Sequence, residues 1–154
     1  MVKPSETIYR DDPYDLRRFT KAQKNTYASA LAELRSGKKK SHWMSYIFPQ
    51  IDGLGHSPTS KRYAIKSIEE ARQYLDHPVL GKRLLECVNT ILAIEESSSL
   101  DIFGHSDDLK LKSSMTLFAC IANSRPVFAR VLDKYFNCDR DVKTLQLFEK
   151  IREK

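Results

Sequence analysis

The stretch Lys40–Ile65, KSHWMSYIFPQIDGLGHSPTSKRYAI, has no helical rhythm. It contains the single tryptophan, Trp43, with Tyr46, Phe48 and Tyr63, the histidines His42 and His56, and Pro49, Gly53, Gly55 and Pro58. An amphipathic helix shows apolar residues at three- and four-residue steps. The sequence on either side keeps that step and this stretch does not. The chain therefore reads as an all-α, compact single-domain bundle crossed by one long irregular segment, residues 37–66.

The flanking pattern predicts about six helices. The first runs from Tyr14 to Ser36 on Leu16, Phe19, Tyr27, Ala30, Leu31 and Leu34, and Gly37 is its left-handed stop. Ser67 and Glu70 have capping-box spacing and open a helix through Asp76. Pro78 starts another, with Val79, Leu80, Leu84, Cys87, Val88, Ile91 and Leu92 on one face. Ser106, Asp107 and Asp108 begin the next, Pro126 a further one, and Asp141 the last. No strand is predicted, although Tyr46–Ile51 reads as a short extended piece. Residues 1–13 read as a flexible arm, and 14–154 as the domain.

Composition narrows the class. A chain of 154 residues fits one domain, and with 41% hydrophobic and 30% charged residues it is neither disordered nor fibrous. No apolar run approaches the roughly 18 residues of a membrane span. The first residues, MVKPSETIYRDDPYD, lack the apolar core of a secretory signal. A cytoplasmic protein without membrane association is expected. Cys87, Cys120 and Cys138 are far apart, and no CxxC or HxxxH pattern supports a metal, so neither metal nor cofactor is expected. The net charge of +6 permits nucleic acid or another acidic partner, but no zinc-finger or RNP-type motif accompanies it.

Three segments carry candidate chemistry. In the irregular stretch, an aromatic wall at Trp43 beside His42 and Gln50 would suit a planar ligand such as a nucleobase. Ser57, Thr59 and Ser60, with Lys61 and Arg62 beside them, would hold a phosphate, although N-capping explains the hydroxyls as well. In DDLKLKSSMTLF, residues 107–118, the small hydroxyls have no evident local use, and Lys110 and Ser114 share a face; Lys110, Ser113 and Ser114 are ligand candidates.

Four blocks, FTKAQKNTYASALAELRSGKKKSHWMSYIFPQIDGLGHSPTSKRYAI, EARQYLDHPVLGKRL, IFGHSDDLKLKSSMTLF and DVKTLQLF, together resemble domain-of-unknown-function family 1810. The resemblance covers roughly residues 15–148. It implies a small, mainly helical protein of a kind found in bacteria and some eukaryotes. Some members carry the label calpastatin, which does not suit a short chain rich in core residues. The family pattern usually has an aromatic where this chain has Ser45, which thins the expected aromatic wall. HPVLGKRL and the charged helix start after it look similar to the NADAR family, linked to NAD and ADP-ribose metabolism and including N-glycosidases. On that analogy Asp107 and Asp108 are the first carboxylates to test for catalysis, with Glu33 and Glu70 next; on the ligand-binding reading of the irregular stretch, His42 or an acidic residue handles protons. Dipole compensation at a helix start is the alternative role for both aspartates.

Two functions follow as expectations. The first is a domain that binds a nucleotide or ADP-ribose-like molecule, extended, where catalytic, to N-glycosidic hydrolysis. The second is a non-catalytic adaptor that binds protein or nucleic acid through a basic face including Lys38–Lys40. The oligomeric state is left open.

Overall fold

The computed structural model describes residues 12–121 and 124–153. The arm expected at 1–13 lies outside them except for Asp12 and Pro13. Asp12 is not loose: its carboxylate accepts from the Leu16 and Arg17 N–H groups and so caps the first helix.

Ten helices make up the described chain: α1 Arg17–Gln23, α2 Tyr27–Arg35, α3 Met44–Ile47, α4 Pro58–Arg62, α5 Ile68–Asp76, α6 Leu80–Ala93, α7 Ser99–Phe103, α8 Asp107–Ala119, α9 Val127–Phe136 and α10 Val142–Arg152. The all-α class holds, and the expected six helices become ten for three reasons. The long first helix breaks between Gln23 and Tyr27. The connector before α8 contains α7, fixed by a capping box between Ser98 and Asp101. The irregular stretch contains two helices too short to show a period, α3 and α4. Tyr46–Ile51 is accordingly not an extended run. Ile51 makes a single parallel bridge to Ile65, with Asp52 N–H donating to the Ile65 carbonyl and Ile65 N–H to that of Gln50. The bridge ties the two ends of the crossing segment together.

Helix α8 is the axis. It packs against α7, α9 and α10, and every residue from Leu111 to Phe118 except Lys112 is buried. Burial on all sides explains the hydroxyls that lacked a local use. Ser113 and Thr116 return their protons to the carbonyls of Leu109 and Lys112, so small polar side chains fit beneath neighbouring helices without orphaned donors. Thr116 also accepts from the Asp141 N–H and so docks the start of α10. Ser114 Oγ is the one buried side-chain polar atom without a partner among the described residues.

Of the expected helix starts and stops, Gly37, Ser67 and Asp141 hold, and Glu70 and Ser106 change role. Gly37 sits at φ +83°, and His77 caps α6, its Nδ1 accepting from the Val79 and Leu80 N–H groups. Ser67 caps α5 by accepting from Glu70 N–H, but the Glu70 carboxylate does not reach back to Ser67. It accepts instead from Lys66 N–H and from Arg18. Ser106 stands at φ +74° and makes no side-chain cap. In α6, a Cβ on Gly81 would lie 2.0 Å from the Leu75 carbonyl oxygen, so α5 and α6 meet over bare backbone. Gly81→Ala is expected to lower stability by about 2 kcal/mol, in the range for overpacking. Chemical denaturation checks this, and an unchanged midpoint would contradict the packing.

Candidate functional site

A cleft of about 210 Å³ opens between the segment 39–46, the start of α4 and the first turn of α8. Its lining includes His42, Asp107 and Lys110 from the expected site residues, with Ser57, Thr59 and Ser60. Lys39, Met44, Ser45 and Tyr46 complete it. The sequence reading overlooked Lys39, because one lysine in GKKK carries no local mark of being turned inward.

Two carboxylates position the segment. Glu33, on α2, accepts from the N–H groups of Lys40 (2.6 Å) and Ser41 (2.9 Å), from the Ser41 hydroxyl (2.7 Å) and from the Trp43 indole N–H (3.0 Å). Partial burial pushes this carboxyl up, but the hydrogen bonds outweigh it and hold the pKa at about 2, against an ordinary 4.5. Asp107, on α8, grips the other side: its Oδ2 is 2.8 Å from Lys39 Nζ and its Oδ1 3.5 Å from Lys110 Nζ. Lys39 N–H also donates to the Ile102 carbonyl at 2.7 Å.

Counting donors shows what the cleft offers a ligand. Lys39 has its side chain only 7% exposed; its ammonium faces Asp107, donates to the Ser41 carbonyl and lies 5.0 Å from the centre of the Trp43 ring. It is fully engaged. Lys110 gives one contact to Asp107 and keeps its other protons. The side chains of His42, Ser45 and Thr59 have no hydrogen-bond partner among the described residues. Two lysines against one carboxylate leave one unit of positive charge before His42 is counted. The site suits an anion.

The remaining expected site residues lie elsewhere. Trp43 is 0% exposed and packs against Phe48, so its ring is no open wall for a base. Its indole N–H needs a partner when buried, and Glu33 supplies it. Gln50 is outside the cleft lining, as is Asp108, whose Oδ1 accepts from the neighbouring Leu109 N–H. Lys61 is exposed on α4, and the Arg62 guanidinium lies over Tyr63 at 5.7 Å. Ser113 and Ser114 are buried inside the bundle. The glycines of GLG serve the fold: Gly55 abuts Ser60 and Gly53 lies against Leu147.

Other candidate chemistries find less support. Burial pushes the Cys87 thiol up to about 12 and raises Cys120, while a hydrogen bond to Asp133 raises exposed Cys138, so none is poised as a thiolate. Among the described residues no three His, Cys, Asp or Glu side chains cluster to hold a metal ion. No described helix is long and apolar enough to cross a membrane. A larger groove of about 800 Å³ lies between the ends of α2 and α6, but its lining has one cation, Arg35, against two carboxylates, Glu86 and Glu95, and so does not suit an anion. The basic run 38–40 is interrupted, because Lys39 points inward.

Comparison with known proteins agrees with this frame. The crystal structure of the conserved hypothetical protein Rv1873 from Mycobacterium tuberculosis, at 1.38 Å, is 47% identical in sequence and superposes with a TM-score of 0.88. The match covers 90% of this chain and 99% of that one. No curated protein matches. The family model described as "Protein of unknown function (DUF1810)" matches residues 13–148, nearly the whole described domain. The chain belongs to the DUF1810 family.

Proposed function

We propose that the cleft binds a small phosphate-bearing molecule of the nucleotide or ADP-ribose class, held by its phosphate. The observation behind this reading is the meeting of Lys110, His42, Ser45 and Thr59, all with unused hydrogen-bonding capacity, in one net-positive cleft. A lysine is a common phosphate ligand, and charge-assisted hydrogen bonds are the strong ones.

Binding is favoured over glycosidic cleavage. Hydrolysis of that kind passes through an oxocarbenium-like state, which a carboxylate must stabilise. The carboxylate present, Asp107, already faces two ammonium groups, so the cleft repels a developing cation more than it attracts one.

Saturating ADP-ribose or orthophosphate is expected to raise the melting temperature. At about 100 times the Kd the gain is about 2.7 kcal/mol, or roughly 5–10 °C for a chain of this size. Trp43 emission is expected to change as well, because Lys39 lies over its ring. Lys110→Ala removes the one lining lysine with spare donors among the described residues and is expected to abolish both responses while leaving the unliganded melting temperature within about 2 °C. A flat response of the unaltered protein would favour the adaptor reading.

A further inference from the structure

We infer that the cleft reads the phosphorylated polyol end of its ligand, a sugar phosphate, and leaves any base outside. This rests on the phosphate reading above and specifies which part of the ligand is recognised.

Size is the first argument. The cleft measures about 210 Å³, below the roughly 300–1,000 Å³ of pockets that enclose a drug-sized ligand. A phosphate with a short polyol fits that class of volume, and a complete ADP-ribose does not.

The second argument is the lack of an open aromatic face. Trp43 is 0% exposed. Tyr46 reaches the cleft, but its ring packs on Tyr63 with centroids 5.3 Å apart. A base entering here would find no tryptophan face, and the one tyrosine of the lining, Tyr46, is already packed on Tyr63.

The third is the kind of polar group present. Hydroxyls both donate and accept, which matches the hydroxyls of a sugar. Ser45 and Thr59 have unpartnered hydroxyls. The Ser57 hydroxyl donates to Ser60 Oγ at 2.9 Å, which leaves the Ser60 proton for a ligand. Asp107 uses one lone pair per oxygen on the two lysines and keeps the others to accept a sugar hydroxyl. The arrangement places the phosphate at Lys110 and His42 and the polyol along Ser45, Thr59 and Ser60.

The test is calorimetric titration of the full chain with orthophosphate, ribose 5-phosphate and adenosine 5′-monophosphate. Ribose 5-phosphate is expected to bind about ten-fold or more tighter than orthophosphate, the yield of one or two added hydrogen bonds. Adenosine 5′-monophosphate is expected to fall within about three-fold of ribose 5-phosphate, since the base adds no contact. Thr59→Val, on an exposed position, is expected to reduce ribose 5-phosphate binding several-fold more than it reduces orthophosphate binding. Equal affinity for ribose 5-phosphate and orthophosphate would overturn the polyol inference and leave the phosphate reading standing. A nucleotide bound more than about ten-fold tighter than the sugar phosphate would overturn it too, by showing that the base is read. No binding of any of the three would overturn both.

Discussion

Arg18→Ala is expected to lower the melting temperature by roughly 6–20 °C, the largest effect of any single substitution proposed for this chain. Arg18 is 8% exposed, and its partner Glu70 is 3% exposed. Its Nε donates to the Arg62 carbonyl, Nη1 to those of Tyr14 and Asp15, and Nη2 to that of Ala64 and to Glu70 Oε2 at 2.6 Å. Truncation leaves a buried carboxylate without its cation and several carbonyls without donors. Breaking a buried pair on one side typically costs about 3–5 kcal/mol. Arg18→Lys is expected to recover little, because one ammonium cannot reproduce a planar fork that spans five acceptors. The double replacement Arg18→Met with Glu70→Leu is expected to be milder than Arg18→Ala, since it leaves no orphaned charge. Scanning calorimetry on the three variants checks the ordering. A loss under about 2 °C for Arg18→Ala would show that the pair contributes little. The same guanidinium fixes the end of α4 through the Arg62 carbonyl, so the variant is also expected to weaken ligand binding at Thr59 and Ser60.

Glu33→Ala is expected to have the second largest effect, about 2–3 kcal/mol, or roughly 4–12 °C. It strands the indole N–H of fully buried Trp43 and releases the Lys40 and Ser41 N–H groups. The group is only partly buried, so solvent screening keeps the loss below the sum of its bonds. The pH dependence has a definite sign. The folded-state pKa of Glu33, about 2, lies below its ordinary 4.5. Its contribution is therefore complete above about pH 4.5 and is lost as pH falls toward 2. Glu33→Gln is expected to flatten the stability curve between those two values, because an amide oxygen does not titrate and its nitrogen cannot accept. Denaturant midpoints from pH 2 to 7 read this directly. Curves that stay parallel across the acid range would contradict the role given to Glu33.

The helical class was legible wherever a helix buries one side only. The apolar stripe of α6 and the caps at Ser67 and Asp141 are local signals with local causes. α8 was legible as a helix but not as the axis. Its Leu111–Phe118 stretch is buried apart from Lys112, and the Ser113 and Thr116 hydroxyls bond to carbonyls of the same helix, a use that depends on neighbours far along the chain. Helices of four and five residues, such as α3 and α4, have no room for a period and leave no helical signal in the sequence. The site was legible in part. His42, Lys110 and Asp107 stand out by type, and the fold brings them together. Trp43 stood out more, yet it turns inward because Glu33, ten positions earlier, offers its indole an acceptor. Lys39 did not stand out at all. Its inward turn is set by Asp107, which no sequence spacing connects to it. The tryptophan of the irregular stretch closes the core, and the lysine stacked on it forms the floor of the cleft.

The most direct test of the anion cleft is amide chemical-shift mapping of the isotopically labelled chain during a titration with ribose 5-phosphate. Shifts concentrated at 39–46, 57–60 and 107–110, and absent in Lys110→Ala, are the expected result. Saturable shifts centred on the groove at Arg35, Glu86 and Glu95, or no shifts at millimolar ligand, would contradict the assignment of this cleft.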